Sequence, residues 1–360
     1  MIRFTNISVR FVFATTTLLL AASSASAAQF TFLDPGYTQQ IYAGPKGSVA
    51  GGVIGVPGAW NGGQLIAREN LNPNIFEYSA TQNTTYQGTN LHGVVATHTI
   101  SGLASGANVT RGTNGFLYLP TSAGLQRVDP NNWATPAVTL TTFGGPGYGV
   151  NALPNGNIVY NANAGFATST GIHIYNPTSN VDTLVYTAPA LIDDIETSPT
   201  GLIALAGQAN NTITLLTSSG SFIQSFPAAG GPDGLAFATT ATPPALFSNN
   251  NDGTIRRYDF ASGFNNLPTA TTTIASGGSY GDIAVTGPDC AFYLIEANNG
   301  VFATRWDNGV TNFDNSIIRI AAKQGCLFDP PVGNAPEPNA AVLMLLGCAA
   351  LGLRRRTESL

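Results

Sequence analysis

Charge is what this 360-residue chain has least of: 9% of its residues are Asp, Glu, Lys or Arg, where a soluble domain averages about a quarter. Methionine (2), histidine (3) and cysteine (3) are scarce as well. Long-side-chain helix formers are too few for a helical bundle or a coiled coil. With 14 basic against 19 acidic side chains, a strongly basic nucleic-acid surface is excluded. No H-E-x-x-H and no Cys/His metal cluster occurs. What is abundant is glycine (41), proline (22) and apolar residues (43%). That mixture favours many short strands joined by turns, and its hydrophobicity argues against disorder.

Both ends read as addresses. Arg3 and Arg10, an apolar stretch from Phe11 to Ala22, and the small residues Ala25-Ser26-Ala27 have the order of a secretory signal peptide over residues 1–27, with Ala25 and Ala27 marking the cleavage site. At the other end Pro336-Glu337-Pro338 precedes an apolar run from Ala340 to Leu353 and then Arg354-Arg355-Arg356. About 14 residues fall short of the ~20 that span a bilayer comfortably, and the arginines would stay cytoplasmic. This segment, 336–360, resembles the PEP-CTERM sorting signal of Gram-negative bacteria. The resemblance implies a short transmembrane helix, transient membrane retention, cleavage by an exosortase-type processing enzyme, and release or attachment at the cell surface beside exopolysaccharide and biofilm matrix. An ordinary short C-terminal anchor is the alternative. Removing both ends leaves nine basic and 17 acidic residues, a net charge of −8. That suits divalent cations or neutral polymers better than anions.

Cys348 lies in the tail, so Cys290 and Cys326 remain in the mature chain. An even pair in an oxidising compartment is expected to be a disulfide.

Between the ends, residues 28–328 repeat one pattern, followed by a linker over 329–335. A turn and second strand recur at Gly63-Gln64-Leu65-Ile66, Gly115-Phe116-Leu117-Tyr118, Gly156-Asn157-Ile158-Val159, Gly201-Leu202-Ile203-Ala204, Pro244-Ala245-Leu246-Phe247 and Cys290-Ala291-Phe292-Tyr293. The spacing is about 41–52 residues, close to the ~40–50 of propeller blades. A third strand follows each, from Ile75-Phe76-Glu77-Tyr78 to Ile317-Ile318-Arg319-Ile320. The last repeat lacks a fourth strand, and Thr38-Gln39-Gln40-Ile41-Tyr42 is unassigned. The pattern predicts an all-β six-bladed β-propeller in which that N-terminal strand completes the last blade and removes an open sheet edge. A two-sheet sandwich is the alternative.

The run Gly231-Pro232-Asp233-Gly234-Leu235-Ala236-Phe237, with Asn251-Asp252-Gly253-Thr254-Ile255-Arg256-Arg257-Tyr258-Asp259 after it, resembles NHL-repeat and gluconolactonase-type six-bladed propellers. The enzymes of that group hold a divalent cation with Glu, Asn and Asp. Here Gly55-Val56-Pro57-Gly58-Ala59-Trp60 keeps the first-blade Trp of that motif and lacks its Glu, while Asn250 stands nearest the position of an Asp.

Alternating strand direction puts the loops that lead into inner strands, and those between second and third strands, on one face. They supply Asn108, Tyr148, Asp193, Asp194, Asp233, Tyr280, Asp282, Asn250 and Glu296. Asp194, Asp233 and Asp282 are the candidate oxygen ligands for Ca²⁺. Asn108, Tyr148, Asp193, Tyr280, Asn250 and Glu296, with Trp60 or Trp306, are candidates to bind sugar through hydrogen bonds and ring faces. The same residues are also ordinary turn formers. Gly277-Gly278-Ser279-Tyr280-Gly281 fits G-x-S-x-G, but a strand follows it where a nucleophile elbow needs a helix. The reading is an exported, non-catalytic binding or scaffold propeller, associated with polysaccharide. The alternative is a metal-dependent lactonase or related hydrolase on the same ring.

Overall fold

Strands such as Leu117–Thr121, Ile203–Gly207 and Ala245–Asn250 are buried at every residue. A strand buried on both sides must lie between other sheets, and here the sheets stand around an axis. The computed structural model describes residues 30–44, 55–69, 72–86, 89–142, 147–163, 170–278, 280–297 and 316–332. The signal-peptide and sorting-signal residues, Ala25, Ala27, Pro336, Glu337, Pro338 and Arg354 to Arg356 among them, lie outside the described residues.

Six antiparallel blades follow in chain order, each built from the axis outward. Blade 1 is Gly55–Asn61, Gln64–Glu69, Asn74–Tyr78 and Val94–Thr99. Blade 2 is Thr110–Arg111, Leu117–Thr121, Gly124–Val128 and Val138–Thr139, and blade 3 is Val150–Ala152, Ile158–Asn163, Thr170–Asn176 and Val181–Ala188. Blade 4 is Ile195–Thr197, Ile203–Gly207, Thr212–Leu216 and Phe222–Pro227, and blade 5 is Pro232–Ala238, Ala245–Asn250, Ile255–Asp259 and Ala270–Ser276. Blade 6 is Tyr280–Thr286, Phe292–Ala297 and Ile317–Ala322, completed on its outer edge by the N-terminal strand Tyr37–Ala43. Inner strands touch in ring order, and blade 6 packs against blade 1. The protein is a closed six-bladed propeller. Among the described residues no helix is long and apolar enough to cross a membrane.

Apolar side chains of adjacent blades interlock in clusters between them. One joins Leu153, Val159 and Ile174 of blade 3 to Ile203, Leu205 and Leu216 of blade 4. Another joins Leu235, Leu246 and Tyr258 of blade 5 to Ala204, Ile213 and Leu215 of blade 4. Cys290 and Cys326 form a disulfide, tying the first hairpin of blade 6 to the chain leaving its third strand.

The ring is also three pairs of blades. In blades 1, 3 and 5 a residue late in the second strand reaches into the next blade. Arg68 donates to the carbonyls of Ala104 and Pro120, Asn161 to that of Ile192, and Asn249 to those of Asp282 and Ile295. In blades 2, 4 and 6 a residue at the inner strand caps its own neighbour's amide: Asn108 for Val109 (2.7 Å), Asp194 for Ile195 (2.9 Å) and Asp282 for Ile283 (2.8 Å). Opposite those caps sit Gly58, Gly149 and Gly234. A Cβ on Gly58 would strike the Val109 carbonyl and the Asn108 side chain, and one on Gly234 would lie 2.8 Å from the Asp282 carbonyl.

Two small elements were not foreseen. The hairpin Thr84–Tyr86/Thr89–Leu91 is inserted in blade 1, and Thr31–Phe32 adds a fifth strand to blade 5. His92 precedes Val94–Thr99 and stacks on Tyr42 at 4.0 Å.

Candidate functional site

The upper face is the one from which the chain enters each inner strand. There Asp193 and Asp194 stand just ahead of Ile195–Thr197, while Asp233 and Asp282 lie within Pro232–Ala238 and Tyr280–Thr286. Pairing with the second strand skips at Pro232/Gly234 and at Gly281/Ala284. Such bulges re-aim a side chain, and both aspartates fall in them. All four carboxyls are at most 6% exposed.

Desolvation dominates their chemistry. Burial pushes Asp193 and Asp194 up to about 8, Asp282 up to about 6, and Asp233 well above the usual carboxylate range. Repulsion from Asp282 and Asp194 adds to the rise at Asp193, and all three of its neighbours raise Asp233. Four acids so grouped stay largely protonated at low pH and demand a counter-charge once ionised.

Their hydrogen bonds separate them into two kinds. Asp194 is an architectural residue: beyond capping Ile195 it accepts the Leu235 amide at 2.9 Å, fastening blade 4 to blade 5. Asp282 caps Ile283 in the same way as Asn108 caps Val109. Asp233 accepts from the Gln208 amide at 2.9 Å. The Asp193 carboxylate accepts no hydrogen bond from a described residue, and its Oδ2 is fully buried. An orphaned carboxylate oxygen beside two other aspartates has the character of a cation donor set made only of hard oxygens. Among the described residues, however, no three His, Cys, Asp or Glu side chains converge into a ready-made metal centre.

Of the other expected residues, Tyr148 is buried with Val56, Ala107, Leu191 and Ile283 in an apolar cluster over the axis. Burial raises its phenol, with Asp193 and Asp282 adding to the rise. Asn250 is not aimed at the aspartates. Its side chain accepts from Ser248 Oγ and donates to the Thr254 carbonyl, closing a turn. Tyr280 and Glu296 belong to strands of blade 6, and their side chains lie outside the described residues, as does Trp306.

One acid escaped sequence reasoning. Glu196, on the inner strand of blade 4, is 3% exposed and receives Asn151 of blade 3 at 2.6 Å and Thr286 of blade 6 at 3.4 Å. Burial, then Asp194 and Asp329, hold it well above its ordinary range. With Thr110 bonded to Asn151 at 3.5 Å, it forms a polar belt across the ring below the aspartates. The signal was present in Ile195-Glu196-Thr197, where period-2 alternation puts the acid between two residues of the opposite side.

No protein-family model matches the chain, and no curated protein matches it in sequence. Solved structures do resemble it. A luciferin-regenerating enzyme superposes with a TM-score of 0.57 at 11% identity, over 82% of this chain and 99% of that one. The calcium-binding protein regucalcin from Agrobacterium tumefaciens gives 0.55 at 12% identity, over 81% and 97%. Virginiamycin B lyase from Staphylococcus aureus gives 0.50 at 12%, over 79% and 99%. At these identities the likeness is one of fold, and one fold hosts many activities.

Proposed function

We propose that this protein is an exported, non-catalytic binding propeller whose upper face takes a divalent cation of the Ca²⁺ class. In this reading the signal peptide and the PEP-CTERM-like tail deliver it to the cell surface or matrix, where it associates with exopolysaccharide. Asp193 carries the cation reading: a buried carboxylate oxygen without a partner, beside Asp233 and Asp282. Asp193, Asp233 and Asp282 do not converge ready-made and would have to close toward one another to supply the oxygens, whereas Asp194 is occupied by two backbone amides. The cation would offset negative charge that burial otherwise disfavours.

The test is thermal unfolding of the oxidised protein in EDTA and through a Ca²⁺ titration. At a hundred times the dissociation constant the ion should stabilise by about 2.7 kcal/mol. The shift should saturate and vanish in Asp193→Asn. No shift for the parent protein would refute the cation reading.

One observation favours a second reading, a metal-dependent lactonase or related hydrolase. Asp282 at about 6 and Asp193 at about 8 lie where a general acid or base works best. Against it stand the missing first-blade Glu, Asn250 turned into its own loop, and the apolar cluster over the axis. Metal-dependent turnover of a lactone panel, lost in Asp282→Asn, would replace the binding reading.

A further inference from the structure

A second concavity lies away from the axis, between blades 6 and 1 on the side of the lower hairpins. Its volume is about 270 Å³. Three chain segments build it: the closing N-terminal strand gives Gln40 and Tyr42, blade 1 gives Trp60 and the nearby His92, and blade 6 gives Asp289, Tyr293 and Arg319. Tyr42 falls where pairing with the third strand of blade 6 skips between Ile41 and Ala43, which turns it toward blade 1. The rings of Tyr42, Trp60 and Tyr293 meet edge to face, with centroids 4.8–6.2 Å apart. They form a firm apolar wall.

Its polar groups are unspent. The Tyr293 hydroxyl and Arg319 Nε and Nη2 approach one oxygen of Asp289, Oδ2, at 2.7–3.0 Å, and Arg319 Nε also donates to the Tyr293 hydroxyl at 3.2 Å. Asp289 Oδ1 therefore receives no hydrogen bond from a described residue, and the side chain is 41% exposed. His92 uses Nδ1 on the Ser79 carbonyl at 2.7 Å, leaving Nε2 unused. The Tyr42 hydroxyl and the Gln40 amide have no described partner either. Amide, phenol, imidazole nitrogen and carboxylate oxygen thus line one hollow beside aromatic rings.

We propose that this cavity binds a single neutral sugar ring. Arg319 offsets Asp289, so neither a cation nor an anion is favoured. A purely apolar ligand would leave four polar groups unmatched, which costs affinity. Hydroxyls donate and accept at once and can satisfy all four, while a C–H edge of a pyranose meets the narrow exposed margin of the buried ring cluster. The volume falls below the ~300–1,000 Å³ of sites for drug-sized ligands, which suits one ring rather than a chain. The proposal deepens the association with polysaccharide and rests on that reading for the polymer alone; it is independent of the axial cation.

The experiment is calorimetric titration of the oxidised protein with methyl glucoside, methyl mannoside, galactose, N-acetylglucosamine and glucuronate, in EDTA and in Ca²⁺. We expect one neutral sugar to bind with the same affinity in both buffers and in Asp193→Asn. Gln40→Ala, on an exposed edge, and Asp289→Asn should each weaken it by a few-fold to about tenfold. Absence of binding by every neutral sugar, preference for glucuronate, or binding unchanged in both variants would overturn the proposal. A sugar response without any Ca²⁺ response would refute the cation reading and leave this site standing.

Discussion

At the scale of single residues, two aspartates adjacent in sequence have different work. Asp194→Ala would leave the Ile195 and Leu235 amides buried without their acceptor; at ~1–3 kcal/mol for each orphaned group, the loss should be about 2–6 kcal/mol. Asp193→Asn removes no hydrogen bond made by a described partner and should be neutral or stabilising without cation. Urea denaturation of both variants in EDTA checks the contrast. The acids also set a pH dependence. Their folded-state pKa values lie above those of the unfolded chain, so the native state holds more protons between about pH 4 and 8. In EDTA, the contribution of these acids should therefore be greatest at or below about pH 4 and fall as pH rises from there toward 6–8, at about 1.4 kcal/mol per retained proton per pH unit. Melting in EDTA from pH 5 to 8 measures it, and a rising stability would contradict the burial of these groups. The presence of Asp193, Asp194, Asp233 and Asp282 on one face was legible, because strand direction alone decides it. Which of them caps an amide was not, since that depends on the neighbouring blade's backbone.

At the scale of elements, the strands were legible wherever alternation and a glycine turn coincide, as at Gly156 before Ile158–Asn163 and Gly201 before Ile203–Gly207. The closing strand could be found because one repeat lacked its fourth member. The inserted hairpin Thr84–Tyr86/Thr89–Leu91 is short and polar and carries no such period. The pairing of blades was hidden too, because Arg68, Asn161 and Asn249 share a position and a role but not a residue type. The disulfide is the element that sequence arithmetic assigned most directly. Its 36-residue separation gives a stabilisation of about 3–4 kcal/mol in the chain-entropy treatment. The double variant Cys290→Ser/Cys326→Ser should lose that much in denaturation and keep its β-sheet circular dichroism.

At the scale of the whole molecule, the proposed export and sorting make a prediction about mass. Protein recovered from its native host should begin near Ala28 and end close to Pro336-Glu337-Pro338. Intact mass spectrometry checks it, and a chain still carrying Arg354 to Arg356 would refute sorting. The ring itself has few local contacts at its seam: Tyr37 pairs with Ala322 and Thr38 with Ala321. Closure must wait for both ends of the domain, which makes the seam a late event in folding. The same geometry decides how the ring bears load. A pull on the chain beyond Asp329 meets Cys326 before it reaches Ile317–Ala322, and the sulfur bridge passes tension to Cys290, in the hairpin ahead of Phe292–Ala297. Force then enters blade 6 at two strands in parallel rather than peeling its third strand one hydrogen bond at a time. A tethered propeller built this way yields by shear, and the covalent clip is its strain relief.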